Sequence, residues 1–227
     1  MKRIGILCAG DAELAPYLTK TEKQPIAEAA MLKFYRGRIK GKEIIAVSSG
    51  VCKVNAAIAA QLLIDRFHAD CIINSGTAGG MNKTVRIFDT IIARRTVYHD
   101  VARDILTDFH PYLPSVFFPS SPQLLDAAER CRPQVKTPLL FGTIVTGETF
   151  VTKETQRDRI NAKFEPLAVD MESAAVAHVC YVNQIPFLAV RTITDTPEFS
   201  GLAHFEQNCT TAAEISAAVV FELIGWI

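Results

Sequence analysis

Three carboxylates, Glu13, Glu172 and Asp195, stand just beyond apolar runs at widely separated points of a 227-residue chain. A carboxylic acid and a carboxylate that meet in one cleft can divide general-acid and general-base work between them. Hydrolysis of a glycosidic bond needs such a set. One group protonates the leaving group, another activates water, and the transition state between them is oxocarbenium-like. Each residue also has a structural reading: Glu13 and Glu172 open helical segments, where a carboxylate favours the positive end of the dipole, and Asp195 could cap a Thr-rich turn. Other chemistries lack their residues. The chain has no G-x-x-x-x-G-K-[ST], G-x-G-x-x-G, G-x-S-x-G or H-E-x-x-H. Its five histidines, His68, His99, His110, His178 and His204, lack metal-ligand spacing, so no metal site is expected.

The elements that would carry the carboxylates alternate between strand and helix from end to end. Residues 2–9 read as a buried strand and 13–20 as a short helix, while 31–38 and 42–48 alternate around Lys40 and Gly41 as a hairpin. An Ala-rich helix at 54–67 leads to a strand at 71–74, a Gly-rich turn at 76–80 and a strand at 90–96. The stretch 99–122 reads as irregular, interrupted by Pro111, Pro114, Pro119 and Pro122. The second half gives helices at 123–131, 153–164, 173–183 and 205–224, and strands at 139–146, 167–169 and 187–192. This alternation predicts an α/β fold, a mostly parallel or mixed sheet covered by helices on both faces. Ligands of such sheets sit at the carboxyl ends of the strands. Glu13, Val51, Thr77, Glu172 and Asp195 all fall at those ends, so carboxylates and glycine turns converge on one rim.

Composition narrows the partner. With 24 Lys plus Arg against 24 Asp plus Glu, 49% apolar residues and no basic run, the chain suits neither duplex nucleic acid nor a membrane surface. No stretch approaches the ~20 apolar residues of a membrane span, and the apolar run at 4–9 is too short for a secretory signal. Six scattered cysteines with no C-x-x-C fit a reducing compartment, hence the cytoplasm. A single domain over 1–227 with a small-molecule ligand is expected.

Seven blocks then become recognisable in order: IGIL at 4–7 leading to Glu13, SGVCKVNAA at 49–57, INSGTAGG at 73–80, YHD at 98–100, TGETF at 146–150, VDMESA at 169–174 and RTITD at 191–195. Over essentially its whole length the chain resembles the methylthioadenosine/S-adenosylhomocysteine nucleosidases of the nucleoside phosphorylase/hydrolase superfamily. The resemblance implies a three-layer α/β/α domain with a central mixed sheet, nucleoside phosphorylase-like, with no cofactor. It also implies release of adenine from 5′-substituted adenosines, and a homodimer in which the loop 100–114 crosses to the neighbour.

Roles follow by the same resemblance. Asp195 would protonate N7 of adenine and Glu13 would position the attacking water. Glu172 would bind the ribose hydroxyls, with Arg191 orienting it or compensating its charge. Phe150 would stack on adenine and the backbone of Val151 would read the purine edge. Thr77 stands where the family has Ser, and Val51, Met171 and Phe205 match positions lining the sugar and its 5′-substituent. Apolar residues at these positions could equally be packing.

The chain departs from the family at Cys8, Ala9 and Gly10, where Gly-Ala-Met is common, and most strongly in the loop DVARDIL at 100–106. There Arg103 replaces an apolar side chain, which bears on the 5′-substituent more than on the reaction type. Alternatives are a phosphorylase, a futalosine-type nucleosidase and a non-catalytic nucleoside-binding protein. Residues 10–18 carry Asp11 and Glu13 but no Arg or Lys to hold phosphate, which favours water.

Overall fold

Apolar runs such as IGILC at 4–8 and FLAV at 187–190 bury both of their faces, as strands between helical layers must. The computed structural model describes residues 1–22, 24–199 and 201–227. Its first half comprises β1 (Arg3–Cys8), α1 (Asp11–Leu18), β2 (Ala27–Ala29), β3 (Leu32–Ile39), β4 (Lys42–Ser48), α2 (Lys53–Asp65), β5 (Cys71–Gly80) and β6 (Thr90–Tyr98). There follow α3 (Arg103–Asp108), β7 (Phe118–Pro119), α4 (Pro122–Cys131), β8 (Leu139–Thr146), α5 (Glu154–Phe164), β9 (Ala168–Asp170), α6 (Ser173–Val182), β10 (Phe187–Asp195) and α7 (Leu202–Ile224).

The sheet is mixed, as expected, and it also closes on itself. β5 runs parallel to β1 and β10, β10 pairs antiparallel with β6, β6 and β8 are parallel, and β9 links β8 back to β5 through Val169 opposite Gly79. β1, β4, β3 and β2 extend the sheet outward from this ring. The closure explains how ends of strands running in opposite directions can share one cleft.

Alternation decides the layers. Ile4 and Ile6 of β1 and Leu188 and Val190 of β10 join Leu14 and Tyr17 of α1, Leu124 of α4 and Val220 of α7 in one cluster. Leu7, Ala189 and Ile193 face the other way, against Ala56, Ala60 and Leu63 of α2 and Val176 and Cys180 of α6. Alanines on α2 and α6 let the two helices approach the sheet closely. Ile160 of α5 closes one end of the ring on Met81, Val97 and Val145. Among the described residues, no helix is long and apolar enough to cross a membrane.

Four sequence expectations need correction. The segment 76–80 is no turn but the second half of β5, and neither Gly76 nor Gly79 has a positive φ. Their glycines serve side chains instead: a Cβ at 76 would meet Glu13, and one at 79 would lie 3.3 Å from Asp195 Oδ2. The stretch 99–122 is not wholly irregular, since it holds α3 and β7. Finally, β10 runs on through Asp195 itself, and α7 begins at Leu202 rather than 205.

Candidate active site

Nine of the ten residues singled out in the sequence line one cleft of about 210 Å³: Glu13, Val51, Thr77, Phe150, Val151, Met171, Glu172, Asp195 and Phe205. Arg191, the tenth, lies beneath it with no exposed surface. Four carboxyl groups line the cleft, those of Glu13, Asp170, Glu172 and Asp195, and among its described lining residues there is no Lys or Arg.

Glu13 occupies the first turn of α1, directly after β1. Its Oε2 accepts from the Ala9 amide at 2.7 Å, and its Oε1 accepts from both the amide and the hydroxyl of Thr77, at 2.7 and 2.9 Å. The bond to Ala9 reaches back past Gly10 to the residue after β1 and is not a helix cap. The two bonds to β5 go further, because they clamp the carboxylate across the cleft wall.

Arg191 is the node below. Its Nε lies 2.9 Å from Asp170 Oδ2, and its Nη2 donates to Asn74 Oδ1 at 2.7 Å and to Glu172 Oε2 at 3.2 Å. Nη1 lies 3.9 Å from Glu13 Oε1 and has no hydrogen-bond partner among the described residues. Burial would pull this guanidinium's pKa down, but Asp170, Glu172 and Glu13 more than reverse that and hold it charged. Asp170 is fixed in turn by the hydroxyls of Thr146 and Ser173 and by two amides at the start of α6.

Glu172 precedes α6 yet caps nothing with its side chain. Oε1 accepts from the Cys52 amide at 3.0 Å, and Oε2 faces Arg191. Burial raises its carboxyl to about 7; Asp170 and Glu13 add to this, and Arg191 opposes it. Asp195 ends β10, where Oδ1 accepts from the Thr194 hydroxyl at 2.8 Å. Its pKa is raised by burial, with Thr194, Arg157 and His204 pulling the other way. The cap proposed for it from sequence is therefore absent: it receives a bond from its own neighbour and faces the cleft.

Phe150 and Phe205 meet edge to face with ring centroids 5.6 Å apart, and Phe150 is 47% exposed, so it is no core residue. Val51 is 48% exposed beside the strained Cys52, whose φ is 84°. Sequence reasoning missed Asn74, Thr146, Ser173 and the supporting role of Asp170. All four lie inside the recognised blocks, but nothing in their spacing tells that Asn74, Asp170 and Ser173 converge on Arg191 while Thr146 holds Asp170. Cys209 of α7 also lines the cleft, outside any block.

A family model described as the phosphorylase superfamily matches residues 3–225. The chain is 35% identical to a 5′-methylthioadenosine/S-adenosylhomocysteine nucleosidase of Staphylococcus saprophyticus, over 99% of this chain and 100% of that protein. The chain belongs to the methylthioadenosine/S-adenosylhomocysteine nucleosidase family of that superfamily. Among solved structures, the nucleosidase of Colwellia psychrerythraea in complex with adenine superposes with a TM-score of 0.90 at 33% identity, covering 99% of this chain and 95% of that one. Futalosine hydrolase of Helicobacter pylori superposes with a TM-score of 0.88 at 28% identity, covering 100% and 98%. Similarity thus spans a nucleosidase named for methylthioadenosine and S-adenosylhomocysteine and a hydrolase named for futalosine.

Proposed function

We propose that the protein hydrolyses the N-glycosidic bond of 5′-substituted adenosines, methylthioadenosine and S-adenosylhomocysteine, releasing adenine and the 5′-substituted ribose. The observation that carries this reading is the charge of the cleft: four carboxyl groups line it, and no Lys or Arg is among its described lining residues. The single guanidinium beneath is already engaged by Asp170 and Glu172. Such a site repels phosphate, so water is the nucleophile, and it stabilises the positive charge that develops on the ribose.

In this reading Asp195 delivers a proton to the purine, since its raised pKa favours the acid form that a poor leaving group needs. Glu13 holds and polarises the water. Arg191 Nη1, which has no hydrogen-bond partner among the described residues, lies 3.9 Å from Glu13 Oε1 and adds positive charge beneath it. Glu13 is clamped at Thr77, and Asp195 lies against Gly79. Two residues of strand are about 7 Å, room for a sugar ring and its attacking water. Glu172 as a carboxylate accepts from the ribose hydroxyls, Phe150 and the backbone of Val151 receive the purine, and Val51, Met171 and Phe205 receive the 5′-substituent.

The dimer belongs to this proposal too. Val54 (70% exposed), Phe109 (60%) and Tyr112 (68%), with Ile58, Ile105, Tyr181 and Val182, leave large apolar groups on α2, α6 and the segment around α3. A second copy covering this face would exclude water from it. Cytoplasmic residence is consistent with six free thiols, four of them buried.

Incubation with methylthioadenosine followed by chromatography tests the reaction. Free adenine at a rate independent of phosphate is expected; strict phosphate dependence would replace this reading by phosphorolysis. Sedimentation tests the assembly, and an active monomer would contradict it.

A further inference from the structure

Beneath Glu13 lies a run of buried hydroxyls that the chemistry above does not use. Tyr17 Oη lies 2.7 Å from Ser75 Oγ, Ser75 Oγ lies 3.0 Å from Ser216 Oγ, and Ser216 Oγ donates to the Val190 carbonyl at 3.0 Å. The Gly76 amide donates to the same Ser216 oxygen at 3.2 Å. Tyr17, Ser75 and Ser216 are at most 1% exposed, so bulk water does not compete for these bonds.

Each hydroxyl has one proton to give, which fixes the direction of the run. Ser216 gives its proton to Val190, so the proton between the two serines belongs to Ser75. Tyr17 must then be the donor to Ser75. Ser216 Oγ accepts two bonds and donates one, leaving its capacity fully used.

The partners lie on four elements: α1, β5, α7 and β10. α1 carries Glu13, and Gly76 immediately precedes Thr77, which clamps Glu13. Val190 immediately precedes Arg191. Gly76 and Arg191 are direct register partners between β5 and β10. One side chain of α7 therefore bridges the two strands at the residues that introduce Thr77 and Arg191. Asn208 of α7 donates to the Thr194 carbonyl at 2.8 Å, so the helix also holds β10 on the far side of Arg191.

We propose that Ser216 is a positioning residue that sets the Glu13–Thr77 clamp against Arg191, with Ser75 and Tyr17 extending its hold to α1. The proposal rests on the hydrolytic reading above. Without the hydroxyl, the Gly76 amide, the Val190 carbonyl and the Ser75 hydroxyl all lose a partner in a dry site, and the strands must readjust to satisfy them.

The test compares wild type with Ser216→Ala, Ser216→Thr and Ser75→Ala, measuring kcat and KM for adenine release from methylthioadenosine, adenine affinity and the thermal midpoint. Ser216→Ala is expected to lower kcat roughly ten- to hundredfold, because small displacements of positioned groups cost that much, while KM and adenine affinity stay within about twofold. Ser216→Thr, which keeps the hydroxyl, should recover much of the rate, and Ser75→Ala should fall between. A folded Ser216→Ala with wild-type kcat would overturn the proposal. So would equal losses in Ser216→Ala and Ser216→Thr, which would make the effect one of packing. Should Ser216→Ala fail to fold, Ser216→Cys decides, since a thiol of similar size bonds the Gly76 amide and the Val190 carbonyl only weakly, and wild-type kcat there refutes the proposal. A wild type that releases no adenine would overturn the hydrolytic reading and this proposal together.

Discussion

One methyl group at Gly76 should disable the site without replacing any reacting group. A Cβ there would stand 2.4 Å from Glu13 Cδ, 2.4 Å from Oε1 and 2.5 Å from Oε2. Ordinary contact begins near 3.4 Å, so the carboxylate has to retreat by about 1 Å. Its bonds to Ala9 and Thr77 are 2.7, 2.7 and 2.9 Å long, and a retreat of that size takes one or two of them beyond hydrogen-bond length. Bonds to a charged acceptor contribute about 1.5–3 kcal/mol each, so losing one or two in Gly76→Ala should lower stability by about 3 kcal/mol. Misplacing a group that orients the nucleophile by about 1 Å costs on the order of a hundredfold in rate. The backbone itself is no obstacle, because Gly76 is not among the positive-φ glycines Gly41, Gly50 and Gly201. Thermal unfolding and kcat for adenine release check both effects. A folded Gly76→Ala enzyme with near-wild-type kcat would show that the rate does not depend on where Glu13 is held.

Asp195→Asn keeps the volume but not the proton, and kcat should fall at least roughly a hundredfold with the thermal midpoint preserved. Glu172 must be ionised to accept from the ribose hydroxyls, and burial raises it to about 7. Log kcat/KM of the wild type should therefore climb with unit slope below about pH 7, and Glu172→Gln should lack that limb and lose far less on a 2′-deoxy substrate. The sign for stability is opposite: the folded carboxyl at about 7 keeps a proton that the unfolded chain releases near 4.5, so this contribution fades as pH rises between those values. Arg103 is exposed at the start of α3 and forms no ion pair with the described carboxylates. Arg103→Val should shift kcat/KM toward methylthioadenosine over S-adenosylhomocysteine by about tenfold, the equivalent of about 1.4 kcal/mol of pairing with the substrate carboxylate. An unchanged ratio would leave Arg103 a surface residue.

The strands and helices of the two-sided core were legible because burial on both faces leaves continuous apolar runs, as in β1 and β10. The cleft's carboxylates were legible because each follows or ends such a run. Other features were not, for physical reasons that can be named. Gly76 and Gly79 read as a turn because glycine usually supplies conformational freedom, yet here it supplies space beside Glu13 and Asp195. The return of β9 to β5 depends on only two register pairs, Gly79 with Val169 and Gly80 with Ala168, too little to mark a sequence. The support of Arg191 draws Asn74, Asp170 and Ser173 from three elements, and no spacing within the chain encodes that meeting. Ser216 lies in an alanine-rich helix face where a lone serine looks incidental.

The most direct test of the central claim, that carboxylates here direct water onto a ribosyl carbon, is the reaction with methylthioadenosine in ¹⁸O-labelled water with and without phosphate. One labelled oxygen on the anomeric carbon of the released sugar is expected in both conditions, with free adenine formed at the same rate. A sugar phosphate carrying no label, formed only when phosphate is present, would contradict the claim.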